Sequence, residues 1–191
     1  MNKLLLLSLA TCFAGAVQAT PANYTLDPNH TFPSFEADHM GGVSVWRGKI
    51  NKNSGTVMVD REEGFGIVNV DIDLSSIDFG QEQLDKWAQG KDFFDLAQYP
   101  KASYKGKLTS FVNGAPTEAK GELTLHGVTK PLNLKINSFK CIPHPMLKRE
   151  LCGADAFAVF QRDQYGLSAG KDWGFNMDVT LRIQVEAIKN D

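Results

Sequence analysis

The residue types that most often bind metals or perform catalysis are scattered along this chain. Its four histidines lie in four different segments, and none has a second histidine at metal-ligand spacing. These histidines are His30, His39, His126 and His144. We find no His-Glu-x-x-His motif, no phosphate-binding glycine loop and no dinucleotide fingerprint, and we expect no nucleophile elbow. The sequence therefore predicts no catalytic residue, no metal site and no cofactor.

The charged residues also favour ordinary structural roles. Asp71 and Asp73 share one strand face, as a catalytic carboxylate pair does, but they alternate with apolar residues, so that face is expected to be solvated. We interpret Arg162-Asp163 as an ion pair or a turn anchor. A set of lysines fits either a solvated surface or contact with an anionic ligand group: Lys86, Lys91 and Lys101.

The N-terminus has the pattern of an export signal. Lys3 precedes a short apolar run, and Val17-Gln18-Ala19 forms a small-x-small cleavage site. We predict a signal peptide over residues 1–19, cleavage after Ala19, and export to a bacterial periplasm. The domain would then be residues 20–191.

Cysteine usage agrees with export. Cys12 would leave with the signal, so an even pair remains, Cys141 and Cys152. In an oxidising compartment such a pair predicts a disulfide. Two free thiols, or a metal pair with His144, are the alternatives.

Composition excludes several classes of protein. The 191 residues carry 22 acids and 20 bases, so there is no basic excess for binding nucleic acid. Hydrophobic residues make up 42% of the chain, which indicates a globular core rather than disorder. No stretch after the signal approaches the length of a membrane span. We therefore expect one soluble domain that does not span a membrane.

Apolar residues alternate with polar residues along most of the chain, which predicts β-strands. The alternation is longest over residues 173–187, and shorter runs recur along the chain, so that we count eight or nine strands. Breaks with turn chemistry separate them, at residues 27–29, 41–42, 53–55, 113–114 and 126–127. Residues 81–89 instead have helical spacing, and Gly90 would end that helix.

Half-buried antiparallel strands in one domain indicate a barrel or a sandwich, and we favour a closed barrel because it removes exposed strand edges. About eight strands enclose an interior that side chains fill or that holds one small ligand. Aromatic residues would line this interior. A packed core and a lipid-filled lumen are both compatible with that pattern.

Three blocks narrow the choice: residues 91–104 (KDFFDLAQYPKASY), 121–132 (GELTLHGVTKPL) and 162–166 (RDQYG). In this order and separation they resemble the YceI-like family of bacterial polyisoprenoid-binding proteins. His30-Thr31 with Phe35 fits the same pattern, as does His39-Met40-Gly41. One region departs from it, because Ala88 or a neighbour replaces an expected histidine.

The resemblance implies an all-β fold with one short helix, a lipocalin-like extended antiparallel β-barrel of about eight strands. It implies a binding protein for a polyisoprenoid or similar long-chain lipid rather than a catalyst. The residues placed in the lumen by alternation and family position are Phe35, Ala37, Phe93, Phe94, Tyr104, Leu123, Phe160, Trp173, Phe175, Met177 and Val179. Those placed at the mouth, near a lipid head group, are His39, Lys86, Trp87 and Arg162.

Two other functions stay open at this point. One is an enzyme of lipid or isoprenoid metabolism whose catalytic residues form no sequence motif. The other is a stress or interaction module whose barrel is filled by its own side chains. Exposed sheet faces would also allow a homodimer.

Overall fold

The structure, a computed structural model, describes residues 21–191. The predicted signal peptide, its cleavage site after Ala19, and Cys12 lie outside this range. Eleven strands and one α-helix are present within the described residues. They are β1 (Ala22–Leu26), β2 (Phe32–His39), β3 (Ser44–Ile50), β4 (Asn53–Asp60), β5 (Phe65–Asp73), β6 (Ile77–Asp78), α1 (Glu82–Gln89), β7 (Lys101–Thr109), β8 (Glu118–Leu125), β9 (Val128–Pro143), β10 (Glu150–Gln161) and β11 (Asp178–Lys189). Within residues 21–191, no helix is long and apolar enough to cross a membrane.

Eight of the strands form a closed antiparallel barrel. The circuit runs β1-β4-β5-β7-β8-β9-β10-β11 and closes because β1 also pairs with β11. Strand β7 illustrates the reason for this fold: Ala102, Tyr104 and Leu108 are buried inside, whereas Lys105 and Lys107 are exposed. The expected all-β antiparallel barrel of about eight strands with one helix is confirmed.

The wall is interrupted at one level, where β1 gives way to β2, β3 to β4, and β5 to β6. Asn53 holds this level together, because its buried Nδ2 donates to the carbonyls of Ile50 (2.9 Å) and Thr31 (3.1 Å). Thr31 Oγ1 in turn donates to the carbonyl of Glu186 on β11 (3.1 Å). These buried side-chain bonds replace the strand ladder where the backbone bends.

We call the half of the barrel on the β2, β3 and β6 side of these interruptions the upper half. There the wall continues as β11-β2-β3-β6, and β6 does not pair with β7. Helix α1 follows β6 and packs beside it. Asp85 Oδ1 accepts the Phe79 N–H (2.7 Å), and the carbonyl of the completely buried Ala88 accepts the Phe94 N–H (3.0 Å). The helix and the segment after it therefore lie at the gap in the upper wall. This is the helix that the spacing of residues 81–89 predicts.

Two sequence expectations about strand bounds are wrong. Strand β11 begins at Asp178, not at Trp173, because the left-handed Gly170 and Gly174 (φ 80° each) flank a short 3-10 turn, Lys171–Trp173. Residues 53–55 are not a turn but the start of β4. Gly55 is needed there for close approach, since a Cβ would lie 2.2 Å from the Asn69 carbonyl oxygen.

Cys141 and Cys152 form the expected disulfide. They are directly opposite each other in the β9–β10 pair. The bond therefore closes the hairpin whose tip carries His144 and Met146, at the end of the barrel opposite α1.

Candidate functional site

The lower half of the barrel contains a deep compartment of about 220 Å³. Apolar side chains line most of it, and none of the residues lining it is exposed. The Tyr104 hydroxyl in its lining is satisfied by the protein, because its one proton is shared between the carbonyls of Ala119 (3.1 Å) and Leu132 (3.0 Å). Burial raises the pKa of Tyr104 to about 12, so the phenol stays neutral. This compartment is suited to an apolar chain and not to a polar group.

A second polar side chain lies in the lining of the deep compartment. The Tyr24 hydroxyl donates to Glu150 Oε1, which joins β1 to the start of β10. Burial, and then the Glu150 carboxylate, raise the pKa of Tyr24 above its ordinary value. The phenol is therefore also a neutral, satisfied group.

The upper half contains a larger compartment of about 590 Å³, which we call the mouth compartment. Phe94, Leu125 and Phe160 line both compartments, so the two adjoin. The mouth compartment reaches the surface beside Trp173, whose side chain is 75% exposed. Its walls come from β2, β3, α1 and the connection between β10 and β11.

Aromatic rings dominate the mouth compartment. His39 stacks on Trp46 with ring centroids 4.1 Å apart, and the rings of His39 and Phe175 are nearly perpendicular, with centroids 5.1 Å apart. On the α1 side, Trp87 stacks on Phe93 at 5.0 Å. Rings that pack on one another in this way keep a broad apolar surface in place without filling the space.

Arg162 is the one lining residue of the described chain that brings a buried positive charge to the mouth compartment. Its guanidinium donates to the carbonyls of Leu167 (Nη1, 2.6 Å) and Ala169 (Nη2, 2.6 Å). Its Cζ lies 5.7 Å from the centre of the Phe93 ring. Burial lowers the pKa of Arg162, and the charges of Asp163 and Asp38 oppose that shift. An arginine remains protonated under these conditions.

Asp38 is a half-buried acid in the lining of the same compartment. Its carboxylate accepts the backbone N–H groups of Gly41 (2.9 Å), Gly42 (2.6 Å) and Asn176 (2.8 Å). These hydrogen bonds hold the pKa of Asp38 below its usual range, and the bond from the Asn176 N–H has the largest effect. Asp38 therefore joins the β2–β3 turn to the segment before β11, and keeps the rim of the mouth in one shape.

Most residues that the sequence places in a lumen line one of the two compartments. Tyr104 and Leu123 line the deep one, and Phe94 and Phe160 line both. The others in the mouth compartment are Phe35, Ala37, Phe93, Trp173, Phe175 and Val179. Met177 is buried but lines neither, because the chain has not yet entered β11 and the alternation fails there. Contact of these residues with a lipid stays a prediction.

The residues expected at the mouth divide in the same way. His39, Trp87 and Arg162 line the mouth compartment. Lys86 does not, because it lies on the exposed side of α1, where its ammonium pairs with Glu82 at 2.5 Å. Trp46 and Phe79 also line this compartment and were not anticipated. Trp46 follows the alternation of β3, whereas no sequence signal identifies Phe79, which follows the two-residue strand β6.

Residues 166–170 (GLSAG) fit the Gly-x-Ser-x-Gly pattern of a nucleophile elbow, which requires a sharp turn from strand to helix. Ser168 lies instead in the irregular connection between two 3-10 turns and is exposed. Within residues 21–191, no histidine hydrogen bonds to its hydroxyl. This segment therefore does not form an elbow.

One cluster of possible metal ligands was not anticipated from the sequence. Asp27, His30 and Glu186 each bring a ligand atom within 4.8 Å of the others, on the outside of the interrupted wall. Asp27 Oδ2 and His30 Nδ1 are already paired at 2.8 Å. The second such group, with Cys141 and Cys152, is occupied by the disulfide.

Comparison with known proteins gives one family. The family model described as YceI-like domain matches residues 24–187. A UPF0312 protein of Yersinia pestis is 34% identical over 139 residues, which cover 71% of each chain. A UPF0312 protein of Pseudomonas syringae pv. tomato is 33% identical over 132 residues, or 68% of each chain.

Solved structures of low sequence identity have the same fold. The Campylobacter jejuni YCEI protein matches with a TM-score of 0.66 and 21% identity, over 78% of this chain and 88% of that one. BcnA of Burkholderia cenocepacia matches with a TM-score of 0.62 and 19% identity, over 81% of this chain and 95% of that one. A polyisoprenoid binding domain from Saccharophagus degradans, implicated in plant cell wall breakdown, matches with a TM-score of 0.62 and 16% identity. The match covers 87% of this chain and 98% of that one.

Proposed function

Because the chain belongs to the YceI-like family, we propose that it is a periplasmic carrier that holds a polyisoprenoid or similar long-chain lipid. The observation that carries the proposal is the pair of adjoining compartments, one deep and apolar, the other aromatic and open beside Trp173. The apolar chain would lie in the deep compartment and the polar end at the mouth. One structural neighbour is described as a polyisoprenoid binding domain, which supports this class of ligand.

Burial of the chain would supply the affinity. Each methylene removed from water contributes about 0.8 kcal/mol. The compartments, of about 220 and 590 Å³, are of the order of known ligand sites, which hold roughly 300–1,000 Å³. This size favours a chain of moderate length over a very long polyprenol.

The periplasmic location rests on two features of the chain. One is the predicted signal peptide over residues 1–19, and the other is the Cys141–Cys152 disulfide. Structural disulfides are typical of oxidising compartments. We propose binding without chemical change of the lipid.

Native mass spectrometry of the mature protein, purified gently from periplasm, tests the proposal together with organic extraction of bound material. We expect a discrete added mass that an intact isoprenoid or other long-chain lipid in the extract accounts for. A ligand-free mass that persists after incubation with such lipids would contradict the carrier function. Recovery of a chemically altered lipid would contradict binding without turnover.

A further inference from the structure

Arg162 carries a charge that the protein does not neutralise by direct contact. Its side chain is only 6% exposed. Within residues 21–191, no carboxylate oxygen lies within 4.0 Å of its guanidinium. A buried cation without a counter-ion is costly, so such a group usually has a partner.

The two acids whose charges act on Arg162 are engaged elsewhere. Asp163 Oδ2 pairs with Lys171 Nζ at 2.6 Å. The Asp38 carboxylate accepts the three backbone N–H groups of the rim described above. Both acids favour the charged form of Arg162 from a distance, but neither bonds to it.

The guanidinium also keeps free donors. It has five N–H groups, and its hydrogen bonds within the described chain use two of them, to Leu167 and Ala169. Those two bonds and the Phe93 ring hold the group in a fixed position at the wall of the mouth compartment. A planar guanidinium held in this way suits two-point contact with a phosphate or carboxylate.

We propose that Arg162 is the receptor for an anionic head group, a phosphate or a carboxylate, on a lipid whose chain enters the deep compartment. The proposal rests on the carrier function and specifies its ligand class. The ligand anion supplies the missing counter-ion, and the apolar surroundings strengthen the contact because they exclude water. Lys86 has no part in this, since it is exposed and paired with Glu82.

The test compares ligands that share one chain. Binding of geranylgeranyl phosphate, geranylgeraniol and inorganic phosphate to the mature protein is measured by quenching of its tryptophan fluorescence. The three tryptophans all line the mouth compartment: Trp46, Trp87 and Trp173. We expect the phosphate ester to bind at least about tenfold more tightly than the alcohol, and inorganic phosphate not to bind. Oleate and oleyl alcohol then distinguish a carboxylate from a phosphate receptor.

Variants assign the preference to one side chain. Arg162→Gln is expected to remove the preference for the phosphate ester, so that the ester and the alcohol bind with similar affinity. Arg162→Lys keeps the positive charge but not the planar set of donors, and is expected to reduce the preference without abolishing it. Arg182→Gln is the matched control, because Arg182 lies on the outer wall, 62% exposed and paired with Glu36 at 3.1 Å.

The outcomes separate this inference from the function on which it rests. Equal binding of the ester and the alcohol to the wild-type protein would overturn the anion receptor and leave the carrier function standing. Binding of neither would overturn the carrier function as well. An unchanged preference in folded Arg162→Gln would overturn the role of Arg162. Should Arg162→Gln not fold, the wild-type comparison and Arg162→Lys decide.

Discussion

Ala156 offers a direct test of whether a lipid chain enters the deep compartment. It is buried on β10 and lines that compartment. Replacement by leucine adds three carbons to its side chain. The cavity of about 220 Å³ has room for them, since one water takes about 30 Å³. The free energy of unfolding is therefore expected to change by less than about 1.5 kcal/mol.

The effect on binding is expected to be larger. The added carbons displace about three methylene groups of the ligand, and the lost burial at about 0.8 kcal/mol each amounts to ~2.4 kcal/mol of binding free energy. This loss raises the dissociation constant by about 50-fold. Titration with geranylgeraniol, followed by tryptophan fluorescence, measures it. Ala97→Leu makes the same change at an exposed residue outside both compartments and is expected to bind normally. A folded Ala156→Leu protein with wild-type affinity would refute the assignment of the deep compartment to the chain.

Three further changes have defined outcomes. Phe175→Arg puts a charge among the rings of the mouth compartment and is expected to abolish lipid loading. Unchanged lipid content in the folded variant would contradict the assignment of Phe175 to the lumen lining. Replacing Cys141 and Cys152 together by serine is expected to lower the free energy of unfolding in urea by about 2–3 kcal/mol, and a reductant should have no effect on that variant. The hydrogen bond that protonated His30 donates to the Asp27 carboxylate raises the pKa of His30 above 6.5. Stability from this pair is therefore present while His30 is protonated and is lost as the pH rises through its folded-state pKa. His30→Asn should remove that part of the pH dependence of unfolding, and an unaltered pH profile would contradict the pairing.

The strand pattern was predictable because a two-residue period leaves one face for the core wherever the backbone is extended. Trp173 and Met177 show where that reasoning ends. Their apolar alternation continues that of β11, but the left-handed Gly170 and Gly174 bend the chain before Asp178. Alternation of residue types records which side chains are apolar, and only the backbone path decides which way they face.

The candidate site was likewise predictable where its residues lie in regular strands, and not elsewhere. Tyr104 and Leu123 lie in long regular strands, so period alone points them inward. Lys86 was expected at the mouth because α1 was expected there, yet the rotation of the helix about its axis turns Lys86 to solvent and leaves Trp87 at the cavity. No sequence pattern specifies that rotation.

By itself the sequence determined the antiparallel barrel, the short helix, the disulfide and the family, since each depends on local period, cysteine count or short motifs. Only the tertiary structure decided that the interior is two adjoining compartments with Arg162 buried in the wall of one of them. In sequence, Arg162-Asp163 is indistinguishable from a surface ion pair. In the structure Arg162 does not pair with Asp163. Its guanidinium donates to the carbonyls of Leu167 and Ala169, and Asp163 pairs with Lys171 instead. Burial and charge balance are properties of the surroundings, and two of the groups that surround or act on this side chain, Phe93 and Asp38, lie far from it in the chain.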